Sequence, residues 1–128
     1  MIVLSLNSGA TTVGTPIGIK SIYNTNGNTI VEGNTVKITQ PGLYEIQGTT
    51  TVTSTAANVF GVYVDINGTR YGSQGESTAT ADGKTTTVTL YTSVEVRDTA
   101  QYGYVTVSFM PIGNATIVDG TVSIKKIN

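Results

Sequence analysis

No histidine, cysteine or tryptophan occurs anywhere in the chain. The first two absences remove the usual general base, the soft metal ligands and most nucleophilic dyads. Without cysteine there is no disulfide framework, and cysteine usage says nothing about compartment. Charge is also scarce, with Asp, Glu, Lys and Arg making up 12% of residues, seven basic and eight acidic, for a net charge of -1. These charges are scattered singly, whereas phosphate binding needs clustered Lys and Arg that displace counterions. A polybasic membrane patch needs the same clustering. Neither nucleic acid nor membrane is expected as a partner. No run approaches the roughly 20 apolar residues of a membrane helix. The apolar Met1 to Leu6 has no basic residue before it and is shorter than a signal-peptide core, so no signal peptide is read.

What is abundant is Thr, Val, Ile, Tyr and Gly, which suits pleated, half-buried surfaces. Apolar positions nowhere recur at helical three-four spacing. At 128 residues there is room for one domain, residues 1–128, burying roughly two-thirds of its unfolded surface. Ile17 to Tyr23 alternates, with Ile17, Ile19, Ser21 and Tyr23 on one face. Val36 and Ile38 alternate up to the turn Gln40-Pro41-Gly42. Tyr44 and Ile46 then share a face in a strand from Leu43 to Val52.

The clearest strand is Val59 to Ile66, with Phe60, Val62, Val64 and Ile66 on one face. It ends at Asn67-Gly68, the strongest short hairpin signal, because both central residues of a type I′ turn need positive φ. Thr69 to Gly72 begins the return, and the small, polar stretch Ser73 to Lys84 reads as a surface loop. Thr85 to Arg97 turns Val88, Leu90, Val94 and Val96 inward. Tyr102 to Met110 sets Val105, Val107 and Phe109 against Tyr102, Tyr104, Thr106 and Ser108. Pro111 to Ala115 reads as a turn, Thr116 to Val118 as a short strand, and Gly120 to Ile127 as the closing strand. Short strands without helices bury their apolar faces only as a sandwich or barrel.

Chemistry-bearing patterns fail one by one. The eight carboxylates offer no pair facing across a cleft, as a glycosidase needs; Glu95 and Asp98 are the nearest in sequence and straddle a strand end. Asp65, Asn67 and Glu76 occupy three positions of a calcium-loop frame. The glycine position of that frame holds Arg70, and no helices flank it. Ser123-Ile124-Lys125-Lys126 matches a Ser-x-x-Lys pattern, but Ser123 and Lys126 would point to opposite faces of a strand. Asn67-Gly68-Thr69 and Asn114-Ala115-Thr116 are sequons in form and read as turn chemistry. No enzyme, cofactor or metal site is read.

The segment Ile38-Thr39-Gln40-Pro41-Gly42-Leu43-Tyr44-Glu45-Ile46 resembles the entry to the second main strand of tumour-necrosis-factor and C1q-like jelly rolls. Ile22-Tyr23-Asn24, Val64-Asp65-Ile66-Asn67-Gly68 and the terminal Gly120 to Ile127 are similar to that family in order and spacing. Arg97-Asp98-Thr99-Ala100-Gln101-Tyr102 departs from it, standing where the family often has Gly-Asp. The resemblance implies an all-β, two-sheet antiparallel jelly-roll sandwich and a homotrimer with one sheet of each copy lining the axis. Tyr63, Tyr91, Tyr102 and Tyr104, opposite the core residues of their strands, are the expected trimer interface. Tyrosine gives large contact area with a hydroxyl that tolerates water. Calcium near the axis of some C1q-like trimers leaves a bound cation open.

Two roles follow as expectations. One is a structural component of a bacteriophage virion, such as a trimeric head decoration or head fibre, whose partners are its own copies and a capsid or other virion protein. It rests on a short chain starting at Met1, with no collagen stalk or coiled coil. Residues 1–16 would then be either a docking arm or an extra edge strand; the sequence leaves both open. The alternative is a receptor- or glycan-binding module of a phage tail tip or bacterial surface protein, with Arg70, Tyr71 and Asp98 as ligand-binding residues.

Overall fold

The computed structural model describes residues 1–25, 29–54, 58–71, 73–74, 76–79, 85–97 and 104–128, with backbone alone at 58, 71, 73–74 and 76–79. Period-two alternation of apolar with Thr, Ser and Tyr residues dictates strands, and thirteen form among the described residues: β1 Ile2–Leu6, β2 Gly9–Ala10, β3 Ile19–Asn24, β4 Thr29–Glu32, β5 Thr35–Ile38, β6 Gly42–Thr53, β7 Asn58–Ile66, β8 Thr69–Tyr71, β9 Ser73–Gln74, β10 Glu76–Ala79, β11 Thr86–Val96, β12 Val105–Ile112 and β13 Thr116–Lys126. There is no helix among the described residues.

The strands form two antiparallel sheets. The first runs β3-β1-β13-β6-β11-β9, with β2 also on β13. The second runs β10-β7-β12-β5-β4, with β8 also on β7. After β5 the chain passes back and forth between the sheets, so each sheet is assembled from distant segments. Between them lies one hydrophobic cluster, whose largest fully buried members are Tyr44, Phe60 and Phe109. The Tyr44 hydroxyl keeps a partner at the rim of this core, donating to the Gln40 carbonyl at 2.6 Å. At Asn67-Gly68 φ is 53° and 88°, as the type I′ hairpin requires.

Four local expectations are corrected. Within Ser73 to Lys84, the described residues form β9 against β11 and β10 against β7. Both lie at sheet edges, where small polar residues suffice and no apolar alternation betrays the strand. Pro111 does not turn the chain; it lies in β12 opposite Val62. The Phe109 carbonyl accepts from Ile17 N on the side away from β7. By alternation, the proline nitrogen also points to that side, beyond the last β5 pairing at Val107, so no ladder bond is lost. Thr116 to Lys126 is a single strand with a bulge at Val118, not two. Ile17, just before β3, and Ile19 are buried, and Ser21 keeps to the face of Ile19, opposite buried Leu4, but Tyr23 does not. A register shift in the β1–β3 pairing leaves Ile22 as the extra residue and turns Tyr23 outward. The Met1 to Leu6 segment supplies β1, an inner strand between β3 and β13 with Ile2, Leu4 and Leu6 buried.

Candidate functional site

The outer face of the first sheet is the most distinctive surface of the molecule. Cross-strand register sorts its outward residues into rows perpendicular to the strands. One row reads Tyr23, Val3, Ser123, Gln47, Tyr91; the next reads Lys20, Ser5, Thr121, Thr49, Thr89; a third reads Asp119, Thr51, Thr87. Adjacent strands lie about 4.8 Å apart, so the two tyrosines of the first row stand roughly 19 Å from one another. The centre of this face carries hydroxyls and no charge. Thr51 and Thr87 Oγ atoms lie 3.2 Å apart. Charge is confined to the margins, at Lys20, Asp119, Glu95 and the cross-strand neighbours Glu45 and Lys125.

Tyr23 and Tyr91 are 52% and 53% exposed, unusual for large side chains on an otherwise small-residue face. The Tyr91 hydroxyl donates to the Glu45 carboxylate at 3.3 Å, which fixes the ring without covering it. Beside it opens a depression of about 440 Å³ lined by Gln47, Gly48, Thr49, Thr89, Tyr91 and Thr121. The Gly48 backbone forms part of its floor: a Cβ there would come within 2.4 Å of the Thr121 carbonyl oxygen, so only glycine lets β13 approach β6 this closely.

The outer face of the second sheet has a different character. Lys37 Nζ lies 4.5 Å from the Tyr104 ring centroid and 3.0 Å from a Glu32 carboxylate oxygen. The hydrogen bond that Lys37 donates to the Glu32 carboxylate is the largest influence raising the Lys37 pKa. The Arg70 guanidinium carbon lies 4.7 Å over the Tyr63 ring. The two outward rings whose side chains are described on this side, Tyr63 and Tyr104, are thus already met by cations of the same chain.

The structure therefore divides the tyrosines expected at an interface. Tyr91 lies on the first sheet, Tyr63 and Tyr104 on the second, and Tyr102 outside the described residues. Tyr23 joins Tyr91 instead. Only the β3 register shift brings it there, and no sequence signal announces that shift. Of the expected ligand residues, Arg70 is exposed and stacks on Tyr63, Tyr71 is described by its backbone in β8, and Asp98 lies outside the described residues. Asp65 accepts from Gly68 N at 2.8 Å, and the Asn67 side-chain oxygen accepts from Thr106 N at 2.9 Å, so these groups of the calcium-like frame and sequon serve the hairpin. Among the described residues, no three His, Cys, Asp or Glu converge to hold a metal. No helix among them is long and apolar enough to cross a membrane.

The chain matches no protein-family model and no curated protein sequence. Solved structures do match it in fold. Murine APRIL aligns over 95% of this chain and 98% of its own, at 14% identity and a TM-score of 0.65. The globular domain of zebrafish complement 1qA aligns over 99% and 97%, at 8% identity and a TM-score of 0.69. The vertex protein P5 of phage PRD1 aligns over 99% and 97%, at 16% identity and a TM-score of 0.57. The chain is a two-sheet jelly roll of the tumour-necrosis-factor/C1q-like type, and the resemblance at Pro41-Gly42-Leu43-Tyr44 holds at the level of fold.

Proposed function

We propose that this chain is a structural assembly protein that forms a homotrimer through the outer face of its first sheet. The observation that carries the reading is the contrast between the two faces. The first sheet leaves Tyr23, Tyr91 and an uncharged field of hydroxyls uncovered, whereas Tyr104 and Tyr63 on the second are capped by Lys37 and Arg70. Depletion of charge at the centre, with aromatic anchors and a polar rim, is the composition of an interface core. Covering the exposed half of one tyrosine, on the order of 100 Å², contributes about 2.5 kcal/mol per copy. Tyr91→Glu and Tyr23→Glu are therefore expected to dissociate the trimer while leaving the β-sheet circular dichroism intact. Sedimentation at micromolar concentration reads the result. A wild-type protein that sediments as a monomer overturns the proposal.

Within that reading, the assembly is a bacteriophage virion component, a head decoration, head fibre or similar appendage. The fold shared with a phage vertex protein supports this. Purified protein should re-bind capsids lacking it and ignore a glycan array. The receptor- or glycan-binding alternative draws on one observation, the exposed Arg70 stacked on Tyr63 beside a loop tip. It predicts the reverse pair of outcomes, with glycan binding lost in Arg70→Ala.

A further inference from the structure

We propose that Asn67-Gly68 is a latent deamidation site, and that the β7–β8 hairpin holds it closed. In an Asn-Gly pair no side chain shields the second residue. The Gly68 backbone nitrogen can attack the Asn67 side-chain carbonyl carbon, forming an N–C bond as the side-chain nitrogen leaves as ammonia. Water then opens the resulting succinimide to aspartate or isoaspartate. The step needs a free Gly68 N–H and a side-chain carbonyl able to turn towards it.

The structure denies both. Gly68 N donates to the Asp65 carboxylate at 2.8 Å. That bond holds the nucleophile in place, and the negative charge opposes the loss of its proton. The Asn67 side-chain oxygen accepts from Thr106 N at 2.9 Å, while Asn67 N donates to the Thr106 carbonyl at 3.0 Å. Asn67 is thus fastened to β12 at two points, with its backbone fixed at a φ of 53°. Cyclisation requires all of these bonds to open together, although the residue itself is exposed to water. An isoaspartate would then lengthen the backbone by one carbon at the turn, so the clasp to Thr106 could not re-form. The modification is a permanent record of local opening at this end of the second sheet.

The test is peptide mapping with mass spectrometry and enzymatic isoaspartate detection, after incubation at mildly alkaline pH. Folded wild type is compared with the same chain in urea and with folded Asp65→Ala. Opening several hydrogen bonds at once should slow the folded chain at least about tenfold relative to the unfolded one. Asp65→Ala, checked for retained β-sheet signal, should deamidate several-fold faster than folded wild type. Should Asp65→Ala fail to fold, Asp65→Asn, which keeps an acceptor but not the charge, should fall between the two. Equal rates in folded and unfolded wild type overturn the proposal. So does an unchanged rate in a folded Asp65 variant, because the carboxylate then holds nothing.

Discussion

Gly48→Ala probes the closest approach between two central strands of the sheet that carries the candidate face. Gly48 lies opposite Leu90 on one side and Val122 on the other. An added Cβ would meet the Thr121 carbonyl oxygen at 2.4 Å and Val122 Cγ2 at 2.8 Å. An unforced carbon–oxygen contact is about 3.3 Å or longer, so β13 must retreat by roughly 1 Å, and its partners β1 and β2 with it. Such overpacking costs about 1–3 kcal/mol. The smaller entropy loss of alanine on folding offsets about 0.4–1 kcal/mol, leaving a net destabilisation of about 1–2 kcal/mol. For a chain of this length the melting temperature should fall by roughly 3–10 °C. The assay is thermal unfolding by circular dichroism at one fixed protein concentration, since association would make the midpoint concentration-dependent. Gly120→Ala is the internal control. There the nearest atoms all belong to the Leu6 side chain, at 2.9 to 3.2 Å, with no backbone atom among them, so a smaller loss is expected. A Gly48→Ala protein as stable as Gly120→Ala would refute the reasoning.

Phe109→Ala empties a fully buried position in β12 and should cost about 3–5 kcal/mol, read as a fall in the urea midpoint without a change in slope; a loss under about 1 kcal/mol would mean the core is not packed as described. Tyr44→Phe removes the hydroxyl that donates to Gln40 and should cost about 1 kcal/mol at neutral pH. Burial raises the Tyr44 phenol above its ordinary value of 10.0. The folded state therefore prefers the protonated form. The stability linked to it is fully present below that ordinary value and is lost as pH rises through the folded value. Wild type should lose stability more steeply than Tyr44→Phe above pH 10 or so; parallel alkaline profiles in urea titrations would exclude this.

Alternation alone located the inward residues of β6, β7, β11 and β12, because a one-residue slip would expose an entire apolar set. The hairpin at Asn67-Gly68 was equally legible, since its φ requirement is written in the residue types. What stayed hidden depends on partners. Ser73-Gln74 and Glu76 to Ala79 pair at edges where burial imposes no pattern. Pro111 reads as a turn until the partner strand shows its nitrogen faces an unpaired side. Tyr23 reads as inward because a bulge at Ile22 adds a residue that period-two counting cannot see.

The same limit explains why the tyrosines were grouped as one surface. Parity along a strand separates inside from outside, but a sandwich has two outsides, and parity does not distinguish them. Tyr91 and Tyr104 are both outward and about a third to a half exposed, yet they sit on opposite sides of the molecule. Their immediate partners then distinguish them. Tyr104 faces a lysine that a neighbouring copy would have to displace or bury along with Glu32, at the cost of desolvating an ion pair. Tyr91 meets one carboxylate, Glu45, at its hydroxyl tip, but its ring stands beside neutral Thr, Ser and Gln side chains, so a second copy covering it meets less charge than one covering the Lys37–Glu32 pair. Desolvation cost, more than aromatic content, is the ground on which the first sheet is proposed as the associating face.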